Sequence, residues 1–144
     1  MKESKSKNYI ILTDEIKKKY PQLKNIVAIE SISKDYNFYD SLKYAEKLKK
    51  AERKNWRLPT CSGEYRVNDS TDEIFAFYEA AKDLHNLAVE QRVEDDFLVG
   101  KNWWWSNEFD EDIRNKHYVW GVDNRYGIVS AHRTDVTEKC RCVC

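Results

Sequence analysis

The apolar positions along this chain change period more than once. Tyr9, Ile10, Ile11 and Leu12 form a short β-branched and aromatic run that suits a strand. Thr13-Asp14-Glu15 has N-cap chemistry and an acidic first turn, which predicts a short helix to Tyr20, stopped by Pro21. Residues 25–32 read as a second strand and residues 34–37 as a connection. With Asp40 or Ser41 as cap, Leu42, Tyr44, Ala45, Leu48 and Ala51 recur at helical spacing and make one buried stripe. Residues 56–69 have no period and predict a loop. Ser70 with Glu73 three positions on is a capping box, and Ile74, Phe77, Ala81, Leu84 and Ala88 carry a second helix to about Gln91. Beyond residue 93 short strands alternate with acidic loops. Trp103-Trp104-Trp105 is a strand, and residues 107–112 are an acidic loop. His117 to Val122 and Ile128 to Ala131 form a hairpin around residues 123–127, and a closing strand runs from Val136 or Lys139 to Val143. Strands and helices followed by a small antiparallel sheet predict an α+β fold with two main helices.

The length, 144 residues, fits one domain, read here as residues 8–144 behind a flexible basic tail, residues 1–7. No apolar run approaches the roughly 20 residues of a membrane helix, so no membrane partner is expected. The 25 basic and 25 acidic side chains cancel, but unevenly. Residues 1–57 carry a net charge of +7 and residues 58–144 a net charge of −7. A basic half raises a nucleic-acid or anionic-surface reading through the lysine-rich first long helix. That half holds only two arginines, Arg53 and Arg57, and arginine is the better phosphate grip. The lysines therefore read as a solvated face.

The start of the chain lacks a signal-peptide core, which points to the cytoplasm, or to secretion if a leader has been trimmed. Of four cysteines, Cys61 stands mid-chain, while Cys140, Cys142 and Cys144 crowd the last five residues at a C-x-C-x-C spacing unlike that of zinc fingers; all four read as reduced packing residues. On a regular strand Cys140 and Cys144 share one face and Cys142 takes the other; a contact between Cys61 and Cys142 is left open. His85, His117 and His132 show no metal-binding spacing, and no cofactor or metal is expected.

The most specific motif is Trp56-Arg57-Leu58-Pro59-Thr60, directly after the first long helix and followed by Glu64. Trp56 and Leu58 are alternate residues of an extended segment and can both enter the core. Pro59 keeps the segment out of a sheet interior, and Arg57 faces the other way, where it can hold a carboxylate such as Glu64. Trp105-Ser106, a glycine-bearing hairpin and Arg141-Cys142-Val143 follow in order. Over residues 40–144 this series resembles the bacterial C-type-lectin-like domains with a Trp-Arg-Leu-Pro-Thr signature, relatives of the formylglycine-generating (sulfatase-modifying) fold. The resemblance implies a C-type-lectin-like fold, in a bacterial or phage protein, with a long-loop binding surface between the late strands. It makes Trp56, Arg57, Leu58, Pro59, Thr60, Glu64 and Trp105 the structural signature. Many such domains join the first helix to the last strand by a disulfide, but lysines (Lys47, Lys49, Lys50) stand in that region here. The Glu-Pro-Asn or Gln-Pro-Asp loop and the Trp-Asn-Asp strand that hold calcium in sugar-binding members are absent.

The expectation is a non-catalytic module that binds a protein partner, with carbohydrate as the second choice, through Trp104, Glu108, Phe109, Asp110, Asp123, Asn124 and Arg125. Trp103 and Trp105 share a strand face and enter the core, so Trp104 turns the other way, half exposed or in a second layer. The alternatives are nucleic-acid or anionic-surface binding, and a cysteine-dependent oxidative enzyme of the formylglycine-generating type. The enzyme reading requires a thiol of lowered pKa.

Overall fold

A computed structural model describes residues 8–49, 53, 55–61, 73–100, 102–109, 117–123 and 125–144. The first predicted strand and helix form as β1 (Tyr9–Ile11) and α1 (Asp14–Lys19), with the Thr13 hydroxyl accepting from the Ile16 amide. A 3₁₀ turn, Pro21–Leu23, leads to β2 (Ala28–Glu30), which pairs antiparallel with β1 in a two-stranded sheet.

Residues 34–36, read from sequence as a connection, form a strand, β3 (Lys34–Tyr36). Helix α2 (Phe38–Lys47) starts earlier than predicted, because Asn37 and not Asp40 or Ser41 is the cap; its side chain accepts from the Asp40 amide at 2.8 Å. The buried stripe shifts with it to Phe38, Ser41, Ala45 and Leu48, and Leu42 is left exposed. Leu48 adopts extended backbone, so the helix ends before the later lysines.

The second predicted helix is two helices, α3 (Glu73–Glu79) and α4 (Ala81–Glu90), which meet at Ala80 (φ −97°, ψ 9°). No glycine or proline marks this break in the sequence. Ser70 lies outside the described residues, so half of the predicted capping box does too. The Glu73 carboxylate accepts from the Arg57 guanidinium and the Thr60 amide.

The late strands are β4 (Trp103–Phe109), β5 (Tyr118–Asp123), β6 (Ile128–Arg133) and β7 (Glu138–Cys140). With β3 they make a five-stranded sheet in the order β3-β7-β4-β5-β6. The sheet is mixed, not purely antiparallel, since β7 inserts between β3 and β4 and runs parallel to β4. The molecule is therefore α+β, with four α-helices and two sheets among the described residues.

Two cores lie on opposite faces of the larger sheet. One gathers Trp104, Trp120, Val122 and Val129 against Phe77 of α3 and Leu84 of α4. The other gathers Trp103, Trp105, Val119, Cys140 and Cys142 against Phe38 and Ala45 of α2, with Trp56 and Leu58. Leu58 is buried against that face, and Arg57 pairs through its backbone with Val143, donating and accepting at 2.9 Å. Its guanidinium turns away and grips Glu73 through two hydrogen bonds of 2.7 and 2.8 Å. The carboxylate comes from the first turn of α3; Glu64, the sequence candidate, lies outside the described residues.

The segment after β7 threads between β2 and the Trp56–Leu58 segment. Val143 bridges both Ile29 and Arg57. Arg141 is buried, donates to the Glu30 carbonyl at 2.6 Å and pairs with Asp96.

Two outcomes follow. Trp56→Ala removes a large buried ring and should cost about 3–5 kcal/mol in urea unfolding. Burial pushes the Asp96 carboxyl up, but Arg141 and the Ser33 hydroxyl and amide outweigh it and hold the group below its usual range. A carboxyl depressed in the folded state contributes stability above its unfolded pKa and loses it as pH falls through the folded value. Unfolding free energy should therefore decline below about pH 4, the range of an unfolded aspartate, and Asp96→Asn should flatten that decline.

Candidate functional site

Helix α2 and the Trp56–Leu58 segment pack over part of one sheet face, where Phe38 meets Trp105 at 5.6 Å between ring centroids. Beyond them the same face opens into a groove of about 470 Å3. Strand alternation and register bring its walls together. Trp103 of β4 lies opposite Asp123 of β5, which lies opposite Ile128 of β6. Ser130 and His132 follow at two-residue steps along the same face.

The groove is built around Trp103. Its ring lies edge-on to Trp105 at 5.0 Å and parallel to the His132 ring at 3.9 Å. Its Nε1 donates to the Ser130 hydroxyl oxygen at 3.0 Å. The Ser130 proton is thereby left to donate elsewhere. His132 Nδ1 sits 2.6 Å from a Glu138 carboxylate oxygen, which leaves Nε2 for another partner. Gly121 has no side chain because there is no room for one: a Cβ would lie 2.1 Å from the Trp104 carbonyl oxygen and 2.3 Å from the Trp103 ring.

The tip of the β5–β6 hairpin forms one end of the groove. The Asp123 carboxylate accepts from the Arg125 and Tyr126 amides at 2.6 and 3.4 Å and so holds the turn. Gly127 closes the turn at φ 68°, pressed so close to the Tyr78 ring that a Cβ would lie 2.6 Å from it. Tyr126 stands 60% exposed with the Arg125 guanidinium 4.7 Å above its ring. Asp35 and Lys139, paired at 2.9 Å, lie on the other side of the groove.

Of the residues singled out in the sequence, Asp123 and Arg125 belong to this groove. Trp104 does not: it is 1% exposed, on the opposite face, packed edge-to-face on Phe77 at 5.5 Å. The expectation of a half-exposed Trp104 at a binding surface is corrected, since helices α3 and α4 cover the face it points to. Glu108 and Phe109 lie in β4, where Phe109 pairs with Val119 after a register shift. Asp110 and Asn124 lie outside the described residues. Sequence reasoning missed Trp103, Ser130, His132 and Glu138 as groove residues. The two-residue alternation from Ile128 to His132 was the available signal.

Two of the cysteines, Cys142 and Cys144, have thiols shifted away from activation. Cys140 and Cys142 are buried in the same core with their sulfurs 3.9 Å apart, not on opposite faces, because the strand ends at Cys140. Cys61 belongs to the other core and is not part of this cluster. The close Cys140 thiol, burial and the Glu30 carboxylate push the Cys142 thiol up, and burial raises Cys144. A nucleophilic thiolate needs the reverse.

A larger cavity, about 630 Å3, lies beside Tyr20, Lys24, Thr60 and Glu73. The Glu73 carboxylate there is already bound to Arg57 and the Thr60 amide. Among the described residues no cluster of His, Cys, Asp or Glu could hold a metal, and no helix is long and apolar enough to cross a membrane. No protein-family model, curated protein or solved structure matches the chain.

Gly121→Ala should dislodge Trp103 from His132 and lower stability by about 1–3 kcal/mol through overpacking. A lower melting temperature together with altered tryptophan fluorescence checks this.

Proposed function

We propose that this chain is a non-catalytic recognition module of the C-type-lectin-like type, and that it binds a protein partner at the groove beside Trp103 and at the adjoining hairpin tip. The observation that carries the reading is the Arg125–Tyr126 stack. It is an exposed aromatic ring under a guanidinium that has no carboxylate partner among the described residues. Tyrosine, tryptophan and arginine are the side chains over-represented at the energetic centres of protein interfaces, because each combines a large apolar area with a polar end. The groove behind the stack adds a free hydroxyl donor on Ser130 and an imidazole nitrogen on His132.

The fold type in this proposal rests on the Trp-Arg-Leu-Pro-Thr motif after a helix and on its place beside the returning C-terminal segment. The polar groups that line the groove suit recognition. Ser130 bonds to Trp103 and not to His132, and the Cys142 thiol is pushed up, away from the thiolate.

A photo-crosslinking amino acid at position 126, in cells of the natural source, should yield an adduct with a discrete protein. The same group at exposed Val89 of α4 should not. Tyr126→Ala or Arg125→Ala should weaken the partner about tenfold or more, which is about 1.4 kcal/mol. Both should leave the melting temperature within a few degrees, as exposed substitutions do. Equal adducts at 126 and 89, or unchanged affinity in both variants, would refute the reading.

A further inference from the structure

We propose that the partner seats an uncharged carboxamide side chain, of asparagine or glutamine, in the groove between Ser130 and His132. This rests on the recognition reading above and names the group that the partner presents. The two residues line the groove at a two-residue step of β6, one as a donor and the other as an acceptor.

The donor is the Ser130 hydroxyl. An indole N–H can only donate, so the 3.0 Å bond from Trp103 Nε1 uses the Ser130 oxygen as acceptor and turns its proton to another partner. The acceptor is His132. A carboxylate can only accept, so the 2.6 Å contact with Glu138 places the ring proton on Nδ1, and Nε2 of the neutral imidazole carries a lone pair. Both groups are held in place. The Trp103 ring lies against His132 at 3.9 Å with 6° between the planes, and it packs so closely on Gly121 that a Cβ there would meet it at 2.3 Å. Donor and acceptor are thus set before a partner arrives, which lowers the ordering cost of binding.

Donor and acceptor together select the occupant. A lysine or arginine side chain has no acceptor for the Ser130 proton. A carboxylate has no donor for Nε2. It would also enter a groove whose walls hold three carboxylates, Asp35, Asp123 and Glu138, against two permanent cations, Arg125 and Lys139. An apolar side chain would cover both groups and satisfy neither. A hydroxyl offers both functions on a single atom, whereas Ser130 and His132 stem from positions roughly 7 Å apart along the strand. A carboxamide is neutral and carries its acceptor oxygen and donor nitrogen on separate atoms. Sugar hydroxyls are also spread over several atoms, but a pyranose stacks on an open aromatic face. The indole in this groove, Trp103, is 6% exposed and has His132 against it.

The test titrates the full chain at about pH 8, where an ordinary imidazole is neutral. The probes are the methylamides of N-acetylglutamine, N-acetylglutamate and N-acetylmethionine, alike in length and different in the side-chain end. The readout is the NMR signals of Trp103 Nε1 and the His132 ring. The glutamine probe should shift both and saturate, and the other two should bind about tenfold more weakly, because they leave a polar group of the groove unpaired. His132→Phe keeps a ring on Trp103 and removes the acceptor; Ser130→Ala removes the donor. Each should erase the preference for glutamine. The comparison of probes in the parent chain decides the matter even where a variant fails to fold, as judged by circular dichroism. Equal binding of the three probes, a preference for glutamate, or no saturable shift up to the solubility of the glutamine probe would overturn the proposal. Saturable shifts of the same signals by methyl glucoside at equal concentration would also overturn it, by making a carbohydrate the occupant. Any of these outcomes beside a discrete crosslink at position 126 leaves the recognition reading standing; equal adducts at 126 and 89 would remove both.

Discussion

The fold depends on one buried cation. Arg141 is almost wholly buried, with its guanidinium 4.3 Å from the Phe97 ring and within 6 Å of the rings of Phe77 and Trp104. It donates to the Glu30 carbonyl on β2 and pairs with Asp96 in the segment that leads to β4. Asp96 in turn binds the Ser33 amide and hydroxyl. Three stretches far apart in sequence are thereby fixed around one side chain. A charge in such surroundings requires its partner: removing one member of a buried pair costs about 3–5 kcal/mol, because the other is left uncompensated. The start of β4, and with it the position of Trp103, is set from this point.

The sequence was most legible where one periodicity decided the structure. The hairpin of β5 and β6 shows its two-residue alternation and its turn residues openly, and the small residue its turn requires stands at position 127. Helix α1 shows its cap and its stop. Strand β3 was illegible because Lys34-Asp35-Tyr36 has no apolar alternation; it is a strand only because β7, about a hundred residues later, pairs with it. The phase of α2 was misread by a few residues because Asn37 and Asp40 are both good caps, and only packing of Phe38 on Trp105 chooses between them. The partner of Arg57 was sought among carboxylates close in sequence, whereas tertiary packing supplies it from the first turn of α3.

The same distinction applies to the site. Asp123 and Arg125 were found because turn chemistry is local. His132 and Glu138 were not, because a turn between two strands brings them together and neither residue type signals a pair at that spacing. The three consecutive tryptophans show the limit of face alternation as a guide. It correctly sends Trp104 away from its neighbours but cannot say whether that second face is open, and here it is a core.

The threading of the C-terminal segment between β2 and the Trp56 region has a kinetic consequence. Arg141 and Cys142 bond to Glu30 across 111 and 112 residues, and Val143 also bridges the extended signature segment. Val143 belongs to one core and Cys140 and Cys142 to the other, so neither is complete before this segment arrives, and the apolar surfaces of earlier residues wait for it during synthesis. High contact order of this kind slows the search for the native topology and lengthens exposure to aggregation. Nascent chains should therefore depend on chaperone holding until residue 143 has cleared the exit tunnel.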